Sequence, residues 1–291
     1  MYDMLRALAN RGPDSAGVAL YSPPRDEWVL QIKLGEKVAG EQAAKVVEER
    51  VAAVGRVLDT QITEAYMRVV VAGDAEPQAL IAAVEEADAT GGERAEVVSL
   101  GHSLEIVKQV GSPEYLDATF NISSCLGTHA VGHTRMSTES RIDLSHSQPF
   151  WAHGKPDLAI VHNGHVTNYH RLRRQYEERG IHFYTENDSE IIGIYLADRM
   201  EAGDSFEEAL HRSLYELDGA FCYLAATPDG MAYVKDPFSF KPLMVAETDE
   251  WVAIATEEMA LCSALPGTYN VYEPAAHSVH LWSLAGEKVT A

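Results

Sequence analysis

The chain has 291 residues, 46% hydrophobic and 23% charged, which is ordinary globular usage and excludes global disorder. Acidic residues outnumber basic ones 44 to 23, giving a formal net charge of −21, and such a surface repels nucleic-acid phosphates and anionic headgroups at long range. No apolar run approaches the ~18 residues of a membrane span, and the opening MYDMLRALANRGPD has no hydrophobic signal region, which reads as a cytoplasmic protein.

Met1, Met4, Leu5 and Leu8 share one face at helical spacing, so residues 1–9 read as the tail of a helix whose uncapped start points to chain missing upstream. A turn-rich loop follows at 10–17 (NRGPDSAG), then strands at 18–21 and 28–34 joined by a Pro-Pro turn. A helix at 41–58, a strand at 66–71, a Pro-initiated helix at 77–87, a loop at 88–93 and strands at 95–100 and 104–110 suggest a small α/β unit of their own.

From Gly127 the texture changes. Strands are predicted at 128–134 and 158–161, then helices at 168–179 (stopped by Gly180), 189–200 and 206–217. Short strands follow at 220–226, 231–235, 243–246, 251–255 and 279–282. Runs of strands alternating with helix groups fit a layered α+β sandwich better than a doubly wound parallel sheet. No GxGxxG, GxxxxGK or GxSxG motif appears, which removes support for the common nucleotide-binding and hydrolase-elbow readings. The three cysteines, Cys125, Cys222 and Cys262, are too few for a disulfide scaffold and read as reduced core thiols.

Four segments put polar groups at loops beside predicted strands: RGPDS from Arg11, GHTRMST from Gly132, HNGH from His162 and ENDSE from Glu186. Each has a bland reading. Arg135 alone is a surface arginine. Asp188 suits the first turn of a helix, and Asn187 with Glu190 resembles a capping box. Asn163-Gly164 is a hairpin-turn dipeptide, and Arg11 to Ser15 an ordinary proline turn. His129 and His133, with later histidines nearby, make a metal site conceivable; they fall on a predicted strand without an HExxH-type motif, and no metal or other cofactor is predicted.

Taken in order, RGPDSAG, GHTRMST, HNGHVTN and NDSE, followed by DPFSFKPL (from Asp236) and ATEEMAL (from Ala255), resemble the class-II glutamine amidotransferase domain of the N-terminal-nucleophile (Ntn) hydrolases. Within that family the chain looks most like stand-alone amidotransferase subunits of glutamate-synthase-like and N-methylglutamate-synthase-like complexes. The resemblance implies a four-layer α/β/β/α sandwich over residues 1–291, with 36–120 as an inserted α/β lobe that docks a partner, shields the pocket or merely stabilises. It implies glutamine hydrolysis and ammonia delivery to a separate synthase subunit.

By the same resemblance Arg135 receives the glutamine α-carboxylate as a bidentate fork, with Thr138 beside it, and Asp188 receives the α-ammonium. Asn163 and Gly164 form the oxyanion hole, while Arg11 and Asp14 support the N-terminal loop. The family's nucleophile is a cysteine at the first mature position, its own α-amine serving as base. Here residue 2 is Tyr and no cysteine precedes Cys125. Either the natural product begins upstream with Met-Cys-Gly, or the protein binds glutamine as a nucleophile-less scaffolding subunit. A different Ntn amidase, starting from another residue, is a third reading.

Overall fold

The computed structural model describes residues 1–35, 40–87, 95–136 and 141–284. Helix α1 (Tyr2–Leu8) and a 3-10 turn lead into β1 (Ser15–Tyr21) and β2 (Trp28–Lys33). Helix α2 (Glu41–Val54) buries Ala44, Val47 and Val51, the three-four spacing of one helical face. It stops short of residue 58 because β3 (Val57–Thr63) begins there; none of that strand's residues is fully buried, so the sequence carries no alternation to reveal it.

Next come β4 (Tyr66–Val71), α3 (Pro77–Glu85), β5 (Glu96–Gly101) and β6 (Leu104–Val110). The loop expected at 88–93 lies outside the described residues. Helix α4 (Pro113–Phe120), unforeseen from the sequence, starts with Pro at its first turn and the Ser112 hydroxyl accepting from the Tyr115 N–H.

The second half runs β7 (His129–Arg135), β8 (Phe150–Trp151), β9 (Ala159–Val166), α5 (Tyr169–Glu178), α6 (Asp188–Glu201) and α7 (Phe206–Glu216). After these come β10 (Gly219–Thr227), β11 (Gly230–Lys235), β12 (Met244–Glu247), β13 (Val252–Ala255), α8 (Glu258–Ala264), β14 (Val271–Tyr272) and β15 (Ser278–Ser283). Gly180 closes α5 as expected: at φ +83° it lets the Ile181 N–H reach back to the Tyr176 carbonyl.

The strands form an antiparallel sheet β15-β11-β10-β9-β8, two three-stranded sheets β6-β1-β7 and β13-β12-β14, and a four-stranded sheet β3-β4-β2-β5. Helices α5, α6 and α7 bury one face of the five-stranded sheet through Tyr169, Ile191, Ile192, Tyr195, Leu210 and Leu214. On the far side α1 packs on α8 and β7, and α4 on β1 and β6. The result is an α/β/β/α sandwich whose inner core runs through Val131, Val161, Tyr233 and Val245.

That core continues without a break into the four-stranded sheet, through Leu30, Ile32, Met67, Val69 and Leu100. Against the expected insert of 36–120, β2 precedes residue 36 yet lies inside this sheet, and β6 pairs over its whole length with β1 of the sandwich. Alternation explains the sharing: on β4, Met67, Val69 and Val71 are buried in the core, whereas Arg68 points to the opposite face and a partly exposed ion pair.

One carboxylate ties lobe to sandwich. Asp157, buried ahead of β9, accepts the His102 N–H at 2.9 Å and the Ser103 and Leu104 N–H groups at 2.8 Å each, filling the β5–β6 turn. Of the three thiols, Cys222 alone is buried; Cys125 and Cys262 are exposed, contrary to the core role expected of them. Among the described residues no helix is long and apolar enough to cross a membrane. Asp157→Ala orphans three backbone donors and is expected to cost about 3 kcal/mol of unfolding free energy, read from urea denaturation.

Candidate active site

The end of β7 carries Arg135, and the local chain is tied to it by backbone. The Asp14 N–H donates to the Arg135 carbonyl at 3.0 Å, Ser15 pairs with Arg135 across β1 and β7, and Pro13 bridges to it. Gly12 is required at this crossing, because a Cβ there would sit 2.3 Å from the Thr134 carbonyl carbon. Arg135 is 8% exposed, and its Nη1 donates to the Arg141 carbonyl at 3.0 Å. Burial pulls its guanidinium below the usual arginine range, with the Asp143 and Asp14 carboxylates opposing that pull.

Asn163 and Gly164 lie inside β9, paired with Cys222 and Phe221 of β10, and do not form a hairpin turn. Gly164 has φ +128°, and a Cβ on it would stand 2.1 Å from the Ala220 carbonyl oxygen. Only glycine supports the irregular backbone at this point of the strand.

Asp188 opens α6. Its Oδ2 accepts the Val166 N–H at 2.8 Å, fastening the helix start to the end of β9, and its Oδ1 lies 3.8 Å from His162 Nδ1. Asn187 caps the helix, taking the Ser189 N–H at 3.0 Å. Glu190 does not complete a capping box. Its carboxylate turns back to the Tyr184 and Thr185 N–H groups and the Thr185 hydroxyl.

Arg11, Arg135, Asn163, Gly164 and Asp188 all border one cavity of about 1180 Å³. Arg11 also pairs with Glu257 at the start of α8. Asp14 is not among the cavity's lining residues and meets Arg135 through backbone and charge. Thr138 lies outside the described residues.

The cavity separates two strand edges. β7 pairs with β1 and β13 with β12, and among the described residues neither has a strand on its other side. Residues of both strands, from His129 to Arg135 and from Val252 to Ala255, line the space between. Helix α1 runs alongside β7 in the same direction: Met1 and Leu5 approach Gly132, and the Thr134 hydroxyl donates to the Leu8 carbonyl.

Sequence reasoning missed Gln148; Ser189 and His162 stand in the ENDSE and HNGH segments but received no part in glutamine binding or hydrolysis. Gln148, buried before β8, brackets the His162 backbone, accepting its N–H at 2.6 Å and donating to its carbonyl at 2.9 Å. The Ser189 hydroxyl lies 2.9 Å from His162 Nδ1. Burial pulls both His162 and His133 down to about 4, so both rings are neutral near pH 7. Among the described residues no group of three His, Cys, Asp or Glu is placed to hold a metal ion.

A glutamine amidotransferase domain model matches residues 133–263. A Methanothermobacter thermautotrophicus protein, provisionally named a glutamine amidotransferase, is 36% identical over 94% of this chain and 93% of its own length. The chain belongs to the glutamine amidotransferases. The glutamine amidotransferase-like protein GlxB of Rhizobium meliloti is 34% identical over 96% of this chain and 90% of its own.

The fold is that of the class-II, Ntn-type branch. Glutamine phosphoribosylpyrophosphate amidotransferase from B. subtilis superposes with a TM-score of 0.61 at 19% identity, covering 99% of this chain and 46% of that one. This amidotransferase chain thus spans about half the length of that enzyme.

Because the two buried histidines bind protons less readily folded than unfolded, where the pKa is about 6.5, stability is full above that value. It falls as pH drops toward 4. Urea denaturation between pH 7 and 4.5 is expected to show His162 contributing a loss of up to about 1.4 kcal/mol per pH unit, with His133 adding in the same sense.

Proposed function

We propose that this amidotransferase binds glutamine in the Arg135–Asp188 cavity and hydrolyses it, delivering ammonia to a partner synthase. The observation that carries the reading is the convergence of Arg135, Asn163, Gly164 and Asp188, from separate segments, on one cavity. A planar guanidinium matches an α-carboxylate through two parallel bonds, and a carboxylate on a helix start matches an α-ammonium. The side-chain amide of Asn163 and the Gly164 N–H are the donors for the oxyanion of a tetrahedral intermediate.

The open slot between β7 and β13 supports a nucleophile supplied by a segment upstream of α1. Such a segment would bring a free α-amine and an attached thiol to the bound carboxamide. The lobe sheet is inferred to shield this cavity or dock the synthase, since Arg68 on its polar face, paired with Glu105 of β6, also borders it. Cytoplasmic operation belongs to the same proposal.

A second reading, glutamine binding without catalysis, is favoured by the thiols: burial pushes Cys222 up to about 12 and raises Cys125 as well, leaving neither as a ready thiolate. Intact-mass analysis and N-terminal sequencing of the protein from its natural source separate the two, a first-position cysteine selecting hydrolysis.

Glutamine is expected to raise the melting temperature of the chain, and Arg135→Lys to remove most of that rise; an unchanged rise in the variant refutes the carboxylate role. In a form that turns over glutamine, Asn163→Ala is expected to lower kcat by about 100- to 1000-fold with little change in KM. An effect confined to KM removes Asn163 from the oxyanion hole.

A further inference from the structure

The amide of Gln148 has no freedom to flip. Its oxygen must face the His162 N–H, 2.6 Å away, and its nitrogen the His162 carbonyl, 2.9 Å away, since the reverse would set donor against donor and acceptor against acceptor. With the amide so fixed, its nitrogen is a donor to the Ser189 hydroxyl oxygen at 3.3 Å. Ser189 thereby has an oxygen engaged as acceptor and one proton to give, and the lone pair within reach is His162 Nδ1 at 2.9 Å. Gln148, Ser189 and His162 are 6%, 1% and 3% exposed, so water does not compete for these bonds.

We infer that Gln148 and Ser189 form a relay of donors that fixes His162 in its Nε2–H tautomer, making His162 a directed hydrogen-bond donor beside the glutamine cavity. The direction runs Gln148 Nε2–H to Ser189 Oγ, then Ser189 Oγ–H to His162 Nδ1, which leaves the ring proton on Nε2. His162 Nε2 is buried and has no hydrogen-bond partner among the described residues, and His162 is one of the residues bordering the cavity. A buried donor left this way gains by meeting an acceptor oxygen on a bound amino acid. The neutral ring, with its pKa near 4, keeps the same proton through the physiological range.

The relay connects the two ends of the site. Gln148 grips the residue before Asn163, and Ser189 is the residue after Asp188, so one buried amide sets both the strand edge and the helix start. Gln148 and Ser189 are positioning residues acting through His162. The donor's use toward glutamine rests on the function proposed above; the tautomer does not.

The test is a long-range ¹H–¹⁵N correlation spectrum of the histidine rings at pH 7.5, with and without L-glutamine. The expected wild-type pattern for His162 is a protonated Nε2 and a bare Nδ1. In Ser189→Ala the hydroxyl proton is gone and the Asp188 carboxylate, an acceptor only, stands 3.8 Å from Nδ1, so the ring proton is expected to move to Nδ1. The dissociation constant for L-glutamine is expected to rise about tenfold in the same variant, the scale of one lost bond.

Gln148→Leu supplies a second variant, expected to give a mixture of tautomers. A wild-type Nδ1–H ring, or an unchanged ring in Ser189→Ala, overturns the relay. A ring that behaves as expected in a protein that does not bind L-glutamine supports the relay and counts against the glutamine reading alone.

Discussion

A guanidinium taken out of water at the end of a strand is costly unless its surroundings are fixed to receive it. Around Arg135 this is done largely by backbone. The strand partner Ser15, the Pro13 bridge and the Asp14 N–H hold the residue's own main chain, and the Arg141 carbonyl takes one of its donors. Asp143 and Asp14 supply negative charge against the burial. A cation so held has little orientation to lose, which is what the proposed bidentate recognition of an α-carboxylate requires. The sandwich, the close crossing at Gly12 and the open end of the cavity are all arranged around that placement.

Much of the second half of the fold was legible because its signals are local. Gly180 had to end α5, Asn187 had to cap α6, and the apolar positions of α6 and α7 repeat at helical period. Other elements gave no such signal. β3 lacks a buried face, β8 is two residues long, and α4 and α8 are too short for periodicity to build up. Asn163-Gly164 was misleading in isolation: the dipeptide favours a turn, but pairing with Cys222 and Phe221 holds it in a strand and uses the glycine for its positive φ.

The candidate site divides in the same way. The residue types were visible, since Arg, Asn-Gly and Asp stand in distinct motifs, but their meeting around one cavity is a property of long-range pairing that no local pattern carries. Gln148 was invisible for a related reason. A glutamine before a proline advertises nothing, and its importance comes from a backbone group 14 residues away and a hydroxyl 41 residues away. The lobe boundary was obscured by sharing: β2 lies before the expected insert yet joins the lobe sheet, and β6 lies within it yet joins the sandwich.

The two strand edges flanking the cavity, neither paired further among the described residues, bear on how molecules of this protein behave toward one another. Unsatisfied N–H and C=O rows are templates for pairing with any extended segment, including one from a neighbouring molecule. The formal charge of −21 opposes such encounters by mutual repulsion, a restraint that added salt screens over about 10 Å at 0.1 M. Resistance to such pairing is therefore electrostatic, and rising ionic strength is what lowers it.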